Sequence, residues 1–254
     1  MKKQKPVLVR IDHRLLHYIP FSVAKVRQPK MEAEKTWDWG GIRMKCADTV
    51  NTRDADVLFA LVHLARVAKE DCLEQGRTYD GRAVVGVKTR IRDVARLAGI
   101  TNRCFLNESI ARLAAHTITF TTVEGKEKMI TNVLRMVEGY EVDPADPKNI
   151  RYLLNEKFRQ DCENGLRVNL TRLVAIKGNT AKALYLYLIG TDRISFRAEA
   201  LAYMIGVKRE KQSKGTQELK EAFRELKAKS VLRDWVFVRK TPKKQSHFTV
   251  VRFG

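Results

Sequence analysis

The sequence predicts an α+β protein built from two tandem winged-helix domains, each a helix-turn-helix followed by a β-hairpin wing. The first observation is a repeated pattern: residues 94–100 and 201–207 both read apolar, Ala, three residues, Gly, apolar, at an offset of 107 positions. In a helix-turn-helix the Ala allows two helices to cross closely, and the Gly supplies the positive φ of the tight turn. The second observation is that a helical segment and then two strand-like segments follow each match. The third is charge, since 49 Lys and Arg outweigh 29 Asp and Glu, an excess typical of proteins that bind nucleic acid.

The chain divides into three predicted parts: an N-terminal extension with a β-hairpin over residues 1–47, a first winged helix over 48–165, and a second, main DNA-reading winged helix over 166–254. The hairpin is indicated by alternating residues on both sides of Gly40-Gly41, which suit a two-residue turn. We expect this hairpin to cover an edge of the first domain, with Trp37 and Trp39 on one face.

Helical spacing and capping residues predict the elements of the first domain. One helix is expected to bury a stripe formed by Val57, Leu61, Leu64 and Val67. Two threonines are expected to cap the helices of the first helix-turn-helix: Thr89 before the Ala-x-x-x-Gly segment and Thr101 before residues 102–115. The wing is predicted as strands 117–123 and 129–137.

The same order returns in the second domain, after strands at 150–154 and 166–170 that flank a short helix. Asn179 is expected to cap a helix that turns Ala181, Leu184 and Leu188 inward. The remaining predicted elements follow in the order of a winged helix: a strand at 194–196, the second Ala-x-x-x-Gly helix, a long helix over 215–230, and wing strands at 231–238 and 248–253.

The long helix over 215–230 sorts its charges by sign around the helical wheel. Leu219, Phe223 and Leu226 occupy a narrow arc that must face the core. Beside this arc lie long polar and basic side chains, and the acidic residues Glu218, Glu221 and Glu225 occupy the remaining side. Because a solvated helix would alternate its charges as i,i+4 pairs, the sorting predicts an electropositive face for the major groove. The alternative is an exposed helix whose sorting is accidental.

The candidate DNA-binding residues come from both predicted helix-turn-helix units and both wings. Residues 151–254 carry 23 basic and 10 acidic residues, against 26 and 19 in residues 1–150, so we expect the second domain to supply most of the affinity. Its candidates are Lys214, Thr216, Gln217, Lys220, Arg224 and Lys227, with Lys240, Lys243 and Lys244 in the wing. Those of the first domain are Arg103 and Asn107 on the helix, with Lys126 and Lys128 in the wing.

No motif in the chain predicts catalysis, a metal ion or a cofactor. There is no Gly-x-x-x-x-Gly-Lys-Ser/Thr phosphate loop and no His-x-His pair of a metal-dependent nicking enzyme. His13 and His17 have metal-ligand spacing, but we expect them to lie at the surface or in the core rather than to bind a metal. The four cysteines are isolated, without a Cys-x-x-Cys pair, so we expect reduced thiols in a cytoplasmic protein. No apolar run reaches the ~20 residues of a membrane span.

Taken in order, the segments of residues 36–252 resemble those of plasmid replication initiators built from two winged-helix domains, with the RepC type of IncQ mobilisable plasmids as the nearest match. Four segments carry the resemblance: Thr36-Trp37-Asp38-Trp39-Gly40, Asp54-Ala55-Asp56-Val57-Leu58, Asn179-Thr180-Ala181-Lys182-Ala183-Leu184 and Glu221-Ala222-Phe223-Arg224-Glu225-Leu226. The resemblance implies a bacterial, plasmid-encoded protein that binds direct-repeat origin sites, called iterons, and melts an adjacent AT-rich region.

The resemblance also implies a set of partners: double-stranded and single-stranded DNA, a replicative helicase and primase, and a second copy of the chain in a monomer–dimer balance held through the first domain. A transcriptional repressor with two winged helices is the alternative, and such a protein could also repress its own gene. Tandem direct repeats beside an AT-rich stretch would favour initiation, whereas an inverted repeat over a promoter would favour repression.

Overall fold

The computed structural model describes residues 6–12, 16, 34–39, 42–47, 50–78, 81–124, 127–143, 145–207, 212–239 and 246–252. The described helices are α1 (Thr52–Val67), α2 (Ile91–Ala98), α3 (Arg103–Ala115), α4 (Glu156–Glu163), α5 (Leu170–Ala175), α6 (Asn179–Ile189), α7 (Ala198–Met204) and α8 (Gln212–Ala228). The described strands are β1 (Leu8–Ile11), β2 (Glu34–Trp39), β3 (Ile42–Ala47), β4 (Leu73–Arg77), β5 (Ala83–Arg90), β6 (Thr117–Glu124), β7 (Glu127–Arg135), β8 (Val137–Val142), β9 (Asn149–Asn155), β10 (Leu166–Asn169), β11 (Ser195–Arg197), β12 (Leu232–Val238) and β13 (His247–Arg252).

The strands form antiparallel sheets, so the α+β class is as predicted. Among the described strands the orders are β1-β10, β11-β13-β12, β2-β3-β6-β7 and β4-β5-β9-β8. The β2–β3 hairpin pairs through β3 with β6, which confirms that it covers an edge in the first half of the chain; which face Trp37 and Trp39 share lies outside the described side chains. The strands before and after the first helix pair, β5 and β6, lie in different sheets, whereas β11 before the second pair joins the sheet of β12 and β13.

Helix α1 is buried on nearly all sides, which corrects the single apolar stripe predicted for it. Val57 and Leu61 are fully buried, as are Leu58 and Phe59 on other faces of the helix. Val67, the last residue of the predicted stripe, is instead 58% exposed. The reason is position, since α1 packs against α2 and α3 on one side and against β1, α5 and α6 on others.

Three predicted helix caps are wrong. Thr89 lies within β5, and Arg90 precedes α2 without a side-chain cap. Thr101 is one residue early, because the Asn102 side chain accepts from the backbone of Cys104 and Phe105 at the start of α3. Asn179 is the first residue of α6 and does not cap it; Gly178 precedes the helix.

The two Ala-x-x-x-Gly segments adopt the same turn, as predicted. Gly99 and Gly206 have φ values of 65° and 76°. In both turns the residue after the Gly donates its N–H to the carbonyl of the pattern Ala at 2.8 Å, from Ile100 to Ala95 and from Val207 to Ala202. This is the six-residue closure of a Schellman motif, and it leads from α2 to α3 and from α7 towards α8. The two alanines are half-buried and pack on the core.

The predicted domain boundaries are crossed by strand pairs, including β3 with β6, and by a buried ion pair. β1, from the predicted extension, pairs antiparallel with β10, from the predicted second domain. Asp56 on α1 and Lys182 on α6 form an ion pair with only about 5% of either side chain exposed. The boundaries themselves stay a prediction, but the two halves share one buried apolar cluster.

Within the described ranges, no helix combines the length and the apolar character that crossing a membrane requires. Nor does that part of the chain bring together three His, Cys, Asp or Glu side chains able to hold a metal ion. His13 and His17 lie outside the described residues.

Candidate nucleic-acid interface

Helix α8 presents the predicted apolar arc to the core. Leu219, Phe223 and Leu226 are fully buried. The Phe223 ring stacks on Phe248 of β13 and on Trp235 of β12, with ring centroids 4.8 and 5.4 Å apart. Because this arc is fixed against the sheet, packing of the core also fixes the orientation of the acidic and the basic sides of α8.

The acidic side of α8 faces the start of α6 and has a structural role. The Glu225 carboxylate accepts the backbone N–H groups of Lys177 at 2.6 Å and Gly178 at 3.2 Å. About two turns earlier on α8, Glu218 accepts from the Thr180 hydroxyl. Carboxylates at a helix N-terminus satisfy free N–H groups and interact favourably with the helix dipole. The charge sorting of α8 is therefore not accidental, and half of it serves helix–helix packing.

The Glu225 contact also explains why Gly178 has no side chain. A Cβ built on Gly178 would lie 2.6 Å from Glu225 Oε2, closer than a real Cβ contact. The glycine thus allows the carboxylate to take the place of the cap predicted for Asn179.

The basic side of α8 borders strand β12, which holds two of its cations. Lys220 Nζ lies 4.1 Å from the centroid of the Phe237 ring, a cation–π geometry. Lys227 Nζ lies 2.9 Å from Asp234 Oδ1, and this hydrogen bond lowers the pKa of the Asp234 carboxyl. Both side chains thus lie in one row of cations on α8, formed by Lys214, Lys220, Arg224 and Lys227.

Three of the predicted residues on α8 keep their polar groups available. The side chains of Lys214, Thr216 and Arg224 form no hydrogen bond or ion pair with any residue that the structure describes, and Lys214 and Arg224 are exposed. Gln217 is also exposed, and its Nε2 donates to Glu221 Oε1 at 3.0 Å. An exposed row with unpaired cations is the kind of surface that phosphate oxygens bind.

The corresponding helix of the first pair, α3, is held in place more firmly and exposes fewer cations. Arg103 is exposed, but its Nη2 donates to the Pro147 carbonyl at 2.7 Å in the β8–β9 turn. Asn107 is half-buried, and its Oδ1 has no hydrogen-bond partner among the described residues. Leu106, Ile110 and Leu113 are fully buried, as predicted.

A buried polar network anchors α3 to the start of α1. Asp54, fully buried, accepts from Ser109 Oγ at 2.7 Å and from Arg112 Nη2 at 2.8 Å. Asp54 also closes a capping box with Asn51. The hydrogen bond with Asp54 stabilises the charged form of the Arg112 guanidinium and so raises its pKa. Local sequence patterns do not predict this network, because Asp54 lies more than 50 residues from Ser109 and Arg112.

The wing candidates fall largely outside the described residues. Lys126, Lys240, Lys243 and Lys244 are among the positions that the structure does not describe. Lys128 lies within strand β7, opposite Val123, rather than in the turn. The return strand begins at Glu127, two residues earlier than predicted, and ends at Arg135.

By sequence, the chain matches no protein-family model and no curated protein. Its fold is similar to that of domain 2 and domain 3 of RctB, known from a crystal structure of selenomethionine derivatives, with a TM-score of 0.64 and 13% sequence identity. The match covers 96% of this chain and 99% of that chain. The shared fold thus includes both helix pairs, the junction between them and the strands around them.

Proposed function

We propose that this protein is a sequence-specific double-stranded DNA-binding protein that initiates replication, with each helix pair and its β-hairpin acting as a winged helix. The observation that carries the proposal is the row on α8: Lys214 and Arg224 are exposed and unpaired within the described structure, while Lys220 and Lys227 are oriented by β12. The fold shared with RctB, a replication initiator, supports the same function.

In this proposal α8 enters the major groove and α3 makes a second, weaker contact on the same duplex. The cations neutralise phosphates and thereby release counterions, which gives affinity without sequence preference. Gln217 and Arg224 have the donors that read base edges. Iteron binding, melting of an adjacent AT-rich segment and recruitment of a helicase and primase follow from the resemblance to plasmid initiators. The role we propose is non-enzymatic.

The first experiment is to footprint the chain on its native flanking DNA and to measure binding to the protected duplex between 50 and 200 mM salt. Six to ten phosphate contacts would lower the affinity about 10³–10⁵-fold over that range. Flat affinity across the range would contradict DNA binding. A symmetric footprint on an inverted repeat would favour the repressor over the initiator.

The same assay tests the row on α8. Arg224→Ala should weaken binding about 5- to 150-fold, corresponding to about 1–3 kcal/mol, because its guanidinium has no competing partner within the described structure. Lys157→Ala removes one exposed, unpaired cation from α4 and is the matched control; its effect should stay below twofold. Equal losses in the two variants would show that only total charge matters.

A further inference from the structure

The turn of the first helix pair and the end of α5 with the residues after it form the two walls of an open groove of about 480 Å³. One wall is residues 98–102 and the beginning of α3; the other is residues 174–177. At its floor lies the Asp56–Lys182 ion pair. The groove thus sits where the two halves of the chain meet, beside the helix that we propose makes the second DNA contact.

The two walls are held at a fixed separation by direct contact. A Cβ built on Gly99 would lie 2.3 Å from Val174 Cγ1, so the turn backbone packs directly against α5. α2 and α5 are in contact as well. The rim of the groove therefore does not depend on the packing of long side chains.

The rim carries exposed cations that have no ion-pair partner among the described residues. Arg53, on the first turn of α1, and Lys177 are both exposed, and neither side chain forms a hydrogen bond or ion pair within the described residues. Thr101 and Asn102 expose polar groups on the opposite rim. Three cations, Arg53, Lys177 and Lys182, thus share one carboxyl, Asp56, around the groove. This positive excess favours an anionic occupant, because like charges brought together repel each other.

The single carboxyl in the groove can take up a proton, which limits its repulsion of an anion. Asp56 is 4% exposed, and its Oδ1 has no partner within the described residues. Burial raises the pKa of this carboxyl to about 7, although Lys182 and Arg53 oppose the shift. A second anion nearby would raise the pKa further, so the carboxyl can become neutral when an anion binds.

We propose that this groove binds a phosphate of the DNA backbone through Arg53 and Lys177, next to the duplex segment contacted by α3. The inference rests on the proposed DNA-binding function and adds a contact at the junction of the two helix pairs. DNA bound there touches both halves of the chain at once, so the groove helps to set the register of the protein on the duplex.

The test compares two double variants that remove the same charge from opposite ends of α1. Arg53→Ala/Lys177→Ala removes the rim cations, and Arg66→Ala/Arg167→Ala removes two exposed cations near the other end of the helix. All four residues are exposed, so both variants should unfold within about 0.5 kcal/mol of the wild type. Binding of the footprinted duplex is then measured across salt concentrations.

Loss of this phosphate contact should reduce the slope of log affinity against log salt by about 0.9. We expect this reduction, with at least tenfold weaker binding, in the rim variant alone. A wild-type slope in the rim variant, or an equal reduction in the control variant, would overturn the groove contact while leaving DNA binding intact. If the wild type binds no DNA, the proposed function fails first.

A final arm separates backbone phosphate from a free anion. Inorganic phosphate is titrated into both proteins at constant ionic strength and followed by calorimetry. The two proteins compared are the wild type and the rim variant. If only the wild type binds inorganic phosphate but the two bind DNA equally, the groove serves a free anion and the inference is wrong.

Discussion

Replacing Lys182 with Met should destabilise the protein in a strongly pH-dependent way. Met keeps an unbranched side chain of similar length but removes the ammonium that pairs with Asp56 between α1 and α6. Asp56 would then be buried, at 4% exposure, without its cationic partner. Breaking a buried pair from one side typically costs about 3–5 kcal/mol, because the remaining charge is uncompensated.

The carboxyl can avoid most of this cost by binding a proton. In the wild type, burial already raises the pKa of Asp56 from 3.8 to about 7. The folded state therefore binds more protons than the unfolded state between these values, and this stabilising contribution is present at low pH and lost as pH rises through about 7. Without Lys182 the pKa rises further, so the loss in Lys182→Met should be small near pH 5 and approach the full amount near pH 9.

Urea unfolding at the two pH values measures this difference. The double variant Asp56→Asn/Lys182→Met removes both charges and should recover most of the stability at high pH, since a neutral replacement of a buried pair is often tolerated. A loss of equal size at both pH values would refute the reasoning. So would a double variant that is as unstable as Lys182→Met at high pH.

Two further variants test the local geometry at the junction. Gly99→Ala should lower the free energy of unfolding by about 2–4 kcal/mol, because φ is +65° and the new Cβ meets Val174. Denaturant unfolding measures this loss. The double variant with Val174→Ala should recover the part due to the clash with Val174 but not the part due to the positive φ. Glu225→Ala should cost about 1–2 kcal/mol, since the start of α6 loses its acceptor. Glu221→Ala, whose carboxylate accepts from Gln217 on its own helix, is the matched control and should cost under about 0.5 kcal/mol by the same thermal or urea measurement.

Local pattern was sufficient for the parts of the fold that depend on neighbouring residues. The Gly99 and Gly206 turns and the buried arc of α8 follow from a positive φ and from helical periodicity, which short segments encode. The predicted helix caps were wrong, either by one residue, as at Asn102, or because a residue distant in sequence takes the place of the cap, as Glu225 does at α6. Glu225, which takes the place of a cap at α6, lies more than 40 positions along the chain, so no local pattern could identify it.

Strand partners were the second part that the sequence did not reveal. β9 was recognised as a strand, but its pairing with β5 and β8 depends on the tertiary fold. The same holds for β1, which pairs with β10 about 160 residues later. Asp143, Asp146 and Pro147 lie in the connection between β8 and β9. Proline and aspartate are as typical of a tight connection between strands as of a linker.

For the candidate site, the sequence singled out α8 but could not say which of its cations are engaged. Lys220 and Lys227 are held by Phe237 and Asp234, contacts that depend on how β12 crosses α8. Sorting of charge also had two explanations, and the acidic side proved to face α6. On the basic side, the described residues pair only some of the cations: Lys227 has Asp234, whereas Lys214 and Arg224 have no ion-pair partner there.

The contacts at the junction bear on how two helix pairs could read one duplex. Glu225 on α8 holds the backbone of Lys177 and Gly178, α5 lies immediately before this segment, and Val174 of α5 packs on Gly99 at the turn into α3. A continuous series of short contacts thus connects the two proposed DNA-reading helices, without an extended linker between them. If both helices bind the same DNA, the protein sets the distance between their contacts, and a duplex must match that distance. Such a rigid arrangement suits direct repeats of constant phase better than sites of variable spacing.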